Sequence, residues 1–128
     1  MDDTHKEFVK LVNQLSRAPD SQFSDLFDSL IDHTQKHFTQ EERFMLESRF
    51  PAYAEHNDEH MRILGELNHF KKRVDKGLIT FARNYINDRI PDWFRLHAAT
   101  MDSALAMHLQ QTGLSQNNQQ TAKHENVY

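Results

Sequence analysis

The chain has 128 residues, no cysteine and a formal net charge of −4. That length suits one compact domain; the lack of thiols excludes a disulfide framework, a zinc–thiolate site and an iron–sulfur cluster; the acidic balance argues against nucleic acid, whose affinity rests on clustered Lys and Arg. The opening MDDTHKEF carries no basic-then-apolar leader and no apolar run reaches the roughly 20 residues of a membrane span, so a cytoplasmic protein with no membrane partner is expected.

Only three Gly and three Pro punctuate the chain, so long helices are the default. The first covers about 3–17, where Phe8, Leu11, Val12 and Leu15 recur at helical spacing. Pro19 stops it, and Asp20 or Ser21 is the expected N-cap of a second helix over about 21–48. Phe23, Leu26, Phe27 and Leu30 begin its apolar stripe, and Phe44 and Met45 end it. Phe50-Pro51 breaks the chain before a third helix over about 53–76, with Leu64, Leu67, Phe70 and Val74 inward and Gly77 at its stop. A fourth covers about 79–111, with Ile86, Ile90, Trp93 and Leu105 along one face. Pro91 lies inside that pattern and predicts a kink or a break. From Gly113 the composition turns to QNNQQTAKHEN, polar and nearly free of apolar residues, which reads as an unstructured tail over 113–128. Four amphipathic helices with short links predict an all-α, up-down-up-down four-helix bundle over 1–112.

The chain holds nine histidines, and five of them continue the apolar stripes. His5 stands three residues before Phe8. His37 and Glu41 are four apart, so both project from one side of the second helix. His56 and His60 repeat that spacing and follow the face of Leu64 and Leu67. His97 comes four residues after Trp93, and Asp102 five after His97. Counted from the connecting turns at about 1.5 Å per residue, all seven fall in one slab toward one end of the bundle. The last step is irregular, because five residues put two side chains roughly 140° apart on an ideal α-helix. A π-type turn between Leu96 and Asp102 is therefore predicted. Five neutral imidazoles and two carboxylates are too many ligands for one ion and suit two six-coordinate ions bridged by both carboxylates. Nitrogen and oxygen donors without thiolate favour iron, with manganese and zinc as alternatives. Burying these groups without a metal would be costly for each of them.

The segments DDTH around His5, HTQKHFTQEE around His37 and Glu41, HNDEH for His56 and His60, and WFRLHAATMD for His97 and Asp102 together resemble the hemerythrin family, over nearly all of residues 1–112. The resemblance implies unequal irons. One would take His56, His60 and His97 and be coordinatively full. The other would take His5 and His37 and keep an open position. Glu41 and Asp102 would bridge them, with an oxo or hydroxo group as the third bridge. Dioxygen would bind at the open iron beside an apolar wall of Trp93, Phe94, Ala98 and Met101. The family often has Leu at the position of Phe94 and a bulky aliphatic at that of Ala98. The small Ala98 predicts a channel that admits water or anions and speeds autoxidation.

The function implied is reversible dioxygen binding for storage, transport or scavenging, not catalysis. The competing functions are a sensor reporting to a separate partner and a peroxidase-like or nitric-oxide-reducing di-iron enzyme. Against the enzyme, the sequence shows no obvious extra acid or base at the pocket wall. His33, His69 and His108 are expected at the surface, with a place beside the ligands as the alternative for His33 because it stands one turn before His37; His124 is expected in the tail, and Asp58 and Glu59 in solvent.

Overall fold

The apolar spacing becomes four helices in a computed structural model that describes residues 2–113. We label them α1, Asp2–Arg17; α2, Asp20–Glu47; and α3, Tyr53–Val74. The fourth, α4, is one path over 80–112. It consists of Thr80–Asn84, a π turn at Tyr85–Arg89, Ile90–His97, a second π turn at Ala98–Asp102, and Ser103–Thr112. Among the described residues there is no strand. Of the tail expected over 113–128, Gly113 is described and ends the last helix in the left-handed conformation; the rest lies outside the described residues. α1 packs on α2, α2 on α3, and both α1 and α3 on the first part of α4. Links as short as 18–19, 48–52 and 75–79 force antiparallel neighbours, which makes an up-down-up-down bundle.

Each helix buries one face. α1 turns Phe8, Val12 and Leu15 inward, α2 turns Phe23, Phe27, Leu30 and Phe38, α3 turns Ile63, Leu67 and Val74, and α4 turns Tyr85, Ile86 and Ile90. Steps of three or four residues keep these side chains on one side of a 3.6-residue helix. Each large apolar side chain so buried contributes roughly 1.5–3 kcal/mol. Leu64 and Phe70, expected inward, are half-buried and pack on the edge of the core, and Ile63 takes the fully buried position. The reason is register, since the stripe begun by His56 and His60 continues to Ile63 and Leu67. A second, smaller apolar cluster holds Phe44, Met45, Phe50, Leu105 and Leu109. In chain order Glu41, His56, His60, His97 and Asp102 fall between the two clusters. Phe38 precedes and Phe44 follows Glu41 on α2, and Ile90 precedes and Leu105 follows His97 and Asp102 on α4.

The helix ends explain the connections. Gly77 is left-handed at φ 83, and Leu78 N–H bonds Arg73 C=O at 2.9 Å while Gly77 N–H bonds Val74 C=O at 2.9 Å. This is the Schellman pattern, at the stop expected from sequence. Arg49 adopts the same conformation at φ 55, with Phe50 N–H on Met45 C=O at 2.9 Å. Its Cβ bears a steric cost there that glycine would not. The start of α2 departs from expectation. Pro19, at φ −64 and ψ 158, occupies the N-cap with no side-chain cap bond. Asp20 instead lies in the first turn and accepts from Arg83 of α4 at 2.9 Å. Proline's fixed φ sets the entry angle, and the cross-helix ion pair draws Asp20 away from capping. The interruption predicted at Pro91 takes the form of the first π turn. Pro91 has no N–H to offer the Asn87 carbonyl, and Ile90 N–H reaches back five residues to Tyr85 C=O.

Candidate metal centre

Seven ligand-type side chains converge from four helices: His5 from α1, His37 and Glu41 from α2, His56 and His60 from α3, and His97 and Asp102 from α4. The four-residue steps on α2 and α3 need no distortion. The five-residue step on α4 does, and the second π turn supplies it where it was predicted. Ser103 N–H bonds Ala98 C=O, and Ser103 Oγ–H donates to the same carbonyl at 3.3 Å. The extra residue is absorbed, so His97 and Asp102 both point inward, 5% and 2% exposed.

Each carboxylate divides its two oxygens between two sets of histidines. Glu41 Oε1 lies 3.1 Å from His56 Nε2 and 3.2 Å from His60 Nε2, while Oε2 lies 3.0 Å from His37 Nε2. Asp102 Oδ1 lies 3.3 Å from His56 Nε2 and 3.1 Å from His97 Nε2, while Oδ2 lies 3.2 Å from His5 Nε2. His60 and His97 bring their Nε2 atoms within 3.2 Å of each other. Glu41, His56, His60, His97 and Asp102 can each offer one ligand atom, all within 4.8 Å of one another. His5 and His37 form the second set, with ring centres 5.9 Å apart.

The electrostatics call for a cation. Glu41 is wholly buried, and neither of its oxygens receives a hydrogen bond of normal geometry from the described residues. Burial, reinforced by the Asp102 charge, pushes its carboxyl up to about 8. Burial opposes ionisation of Asp102 as well, but His5, His56 and His97 outweigh it and hold that carboxyl far below its ordinary range. Burial lowers His37 to about 3. Burial, with His56 and His97 adding to it, lowers His60 to about 2. For His56, burial is outweighed by the two carboxylates, which raise it. A buried carboxylate without well-formed hydrogen bonds, set between the neutral imidazoles of His37 and His60, is unstable alone and suited to a metal ion. The donor set fits iron, manganese or zinc and offers no thiolate.

On the side of His5 and His37 lies a cavity of about 10 Å³, near the lower bound for a single water. Trp93 and Phe94 line it, whereas Ala98 and Met101 are not among its lining residues. The wall is shaped by the bulk at position 94 and not by the small side chain at 98. Phe94 stacks on Phe8 at 4.6 Å and sets its edge against His5 at 5.2 Å.

Two residues read as surface groups belong to the surroundings of the site. His33 lines the cavity, with its ring parallel to His37 at 6.5 Å. Its Nε2 is buried with no hydrogen-bond partner among the described residues, and burial, then His37, lowers its pKa. The wall therefore does carry a base. The four-residue step from His33 to His37 was the available signal. Glu59 is half-buried and accepts the Trp93 indole N–H at 2.6 Å, while Arg62 donates to both its oxygens at 3.0 Å. Trp93 in turn stacks on His97 at 4.7 Å, and Phe38 stacks on His60 at 3.7 Å. Asp58 and His69 are exposed, as expected. His108 is half-buried and donates to the Ser48 carbonyl at 2.8 Å, tying the end of α4 to the end of α2. His124 lies outside the described residues.

Comparison with known proteins agrees with this geometry. Residues 1–109 match the family model described as the hemerythrin HHE cation binding domain. The chain is 30% identical over 112 residues to a bacteriohemerythrin of Ralstonia nicotianae, covering 88% of this chain and 81% of that one. It is 31% identical over 115 residues to a bacteriohemerythrin of Aquifex aeolicus, covering 85% and 87%. To a myohemerythrin of Sipunculus nudus it is 28% identical over 102 residues, covering 80% and 77%. No solved structure matches. Among the described residues no helix is long and apolar enough to cross a membrane.

Proposed function

The chain belongs to the hemerythrin family, and from that premise we propose that it binds dioxygen reversibly at a non-haem di-iron centre, in oxygen storage, transport or scavenging. His5, His37, Glu41, His56, His60, His97 and Asp102 would hold the metal. The observation that carries this reading is the division of each carboxylate between a three-histidine and a two-histidine set. Three histidines and two shared carboxylates can nearly fill one ion, whereas two histidines leave the other with room for a ligand. The cavity lies on that poorer side. Iron would supply the electrons and the coordination site that dioxygen needs.

The chain's own residues do the rest. Neutral His37 and His60 each keep one ring nitrogen unprotonated, with a lone pair free for a metal. The flanking apolar clusters and the stacked Phe8–Phe94 pair exclude bulk water, and a dry site limits proton leakage and loss of the bound gas. Glu59 holds Trp93 against His97, which fixes that ring's orientation. His33 favours a second reading, a peroxide-reducing di-iron enzyme, because it sets a base with a buried, unpartnered Nε2 in the same wall. Steady consumption of hydrogen peroxide by the iron-loaded protein, lost in His33→Leu, would support that reading.

The deciding experiment is metal analysis followed by optical spectra of the reduced, iron-loaded protein before air, after air and after renewed deoxygenation. Two irons per chain and a visible charge-transfer band that appears and disappears over several cycles are expected. Bleaching to a stable ferric spectrum within one cycle would refute reversible binding.

A further inference from the structure

We propose that the cleft between α1 and α2 is the docking surface for an acidic one-electron carrier protein that returns the metal centre to its reduced state. The inference rests on the oxygen-binding reading. The cleft has a volume of about 710 Å³, and its lining includes Lys6, Lys10 and Arg17 but no acidic residue. At about 100° per residue these three cations fall within roughly 40° of one another around α1, on the side opposite Phe8, Val12 and Leu15. Among the described residues none of the three takes part in an ion pair. Elsewhere Lys36, Arg62, Lys71, Arg83 and Arg95 are each paired with a carboxylate, and Arg73 and Arg89, which are in no ion pair among the described residues either, line clefts that also carry Glu66 or Asp88. Val9, 44% exposed, and half-buried Leu26 place apolar surface among the cations. Apolar surface beside a row of charge gives a partner both a desolvated contact and an oriented one.

Charge complementarity selects the occupant. The whole chain carries −4 and repels an acidic protein from most directions. The basic cleft, lined by three cations and no carboxylate, attracts one and fixes the orientation of the encounter. The chemistry supplies the need. A ferric ion formed by accidental oxidation no longer binds dioxygen, and each one requires one electron from outside. The reduced carrier gives up one electron, one ferric ion becomes ferrous, and the oxidised carrier leaves. Lys6 follows His5 directly in α1, so a docked carrier abuts the helix that supplies a ligand of the poorer set.

The test uses the full, iron-loaded, air-oxidised chain mixed anaerobically with a reduced [2Fe–2S] ferredoxin, an acidic carrier. Loss of ferric absorbance gives the rate. The rate is expected to fall about tenfold as salt rises from about 50 to about 300 mM. It should fall about tenfold at low salt in Lys6→Gln/Lys10→Gln/Arg17→Gln and stay within about twofold of wild type in Lys6→Arg/Lys10→Arg/Arg17→Lys. An uncharged photoreduced deazaflavin should reduce all three proteins equally. Equal ferredoxin rates for the charge-removed and charge-keeping variants would overturn the proposal. So would a concentration-dependent dimer abolished by the charge-removing changes, since a second copy would then be the occupant. Oxygen cycling on the same samples separates the two ideas. Normal cycling with charge-independent reduction removes the docking surface alone, whereas failure to cycle removes the oxygen-binding reading.

Discussion

Glu41 is wholly buried, and substitution by Gln keeps its shape while removing its charge. In the metal-free protein its carboxyl holds a proton up to about 8, against 4.5 as the ordinary value. Because the folded pKa is raised, the folded state keeps a proton that the unfolded state has lost between those values. Stability therefore falls as pH rises through that window and levels off above it. At 1.36 kcal/mol per unit the penalty is roughly 4–5 kcal/mol above pH 8 and about 1 kcal/mol near pH 5.5. An amide carries none of this and can donate N–H to the neutral His60 imidazole, although imperfect pairing returns about 1–2 kcal/mol. Glu41→Gln should thus stabilise the metal-free protein by about 2–4 kcal/mol near pH 8.5 and hardly at all near pH 5.5. The lowered His37 and His60 pKa values weaken both proteins alike as pH falls below the ordinary histidine value, so they cancel in the difference. With metal the sign reverses, because a neutral amide cannot replace a shared carboxylate, and iron content should drop. Urea unfolding at both pH values, with chelator and with iron, measures all of this. A metal-free variant no more stable than wild type near pH 8.5, or a gain equal at both pH values, would refute the reasoning.

Phe94→Ala removes the ring packed on Phe8 and His5; it should cost about 2 kcal/mol and speed autoxidation of the oxygenated protein several-fold, and unchanged spectral decay would show that this ring is no barrier. Glu59→Gln weakens the acceptor for the Trp93 indole N–H. With Glu59 partly exposed the loss should be about 1 kcal/mol. Because Trp93 is the single tryptophan, its near-ultraviolet circular dichroism reports the change directly, and an unaltered band would make Glu59 a bystander. Arg49→Gly relieves a left-handed side chain and should raise stability by up to about 1 kcal/mol in urea titration; a loss would mean that the arginine side chain makes a compensating contact.

The helices and the seven ligand-type residues were legible in the sequence because helical periodicity is local: a residue's face follows from its spacing to its neighbours. The second π turn was legible for the same reason, since five residues between His97 and Asp102 do not fit one face of a regular helix. Leu64 was misplaced by a single position, because Ile63 and Leu64 are both apolar and only the register of the neighbouring helices chooses between them. Asp20 looked like a cap until Arg83, 63 residues away, offered it a charge.

Local spacing was thus enough for four amphipathic helices, the level at which their polar inward residues meet, and a donor set of imidazole and carboxylate. Tertiary structure alone decided how Glu41 and Asp102 share their oxygens, that Phe94 and not Ala98 shapes the cavity, and that His33 and Glu59 attend the site. Those outcomes depend on rotamers and on distances across helices. They arise from packing between segments remote in the chain, which no local spacing encodes.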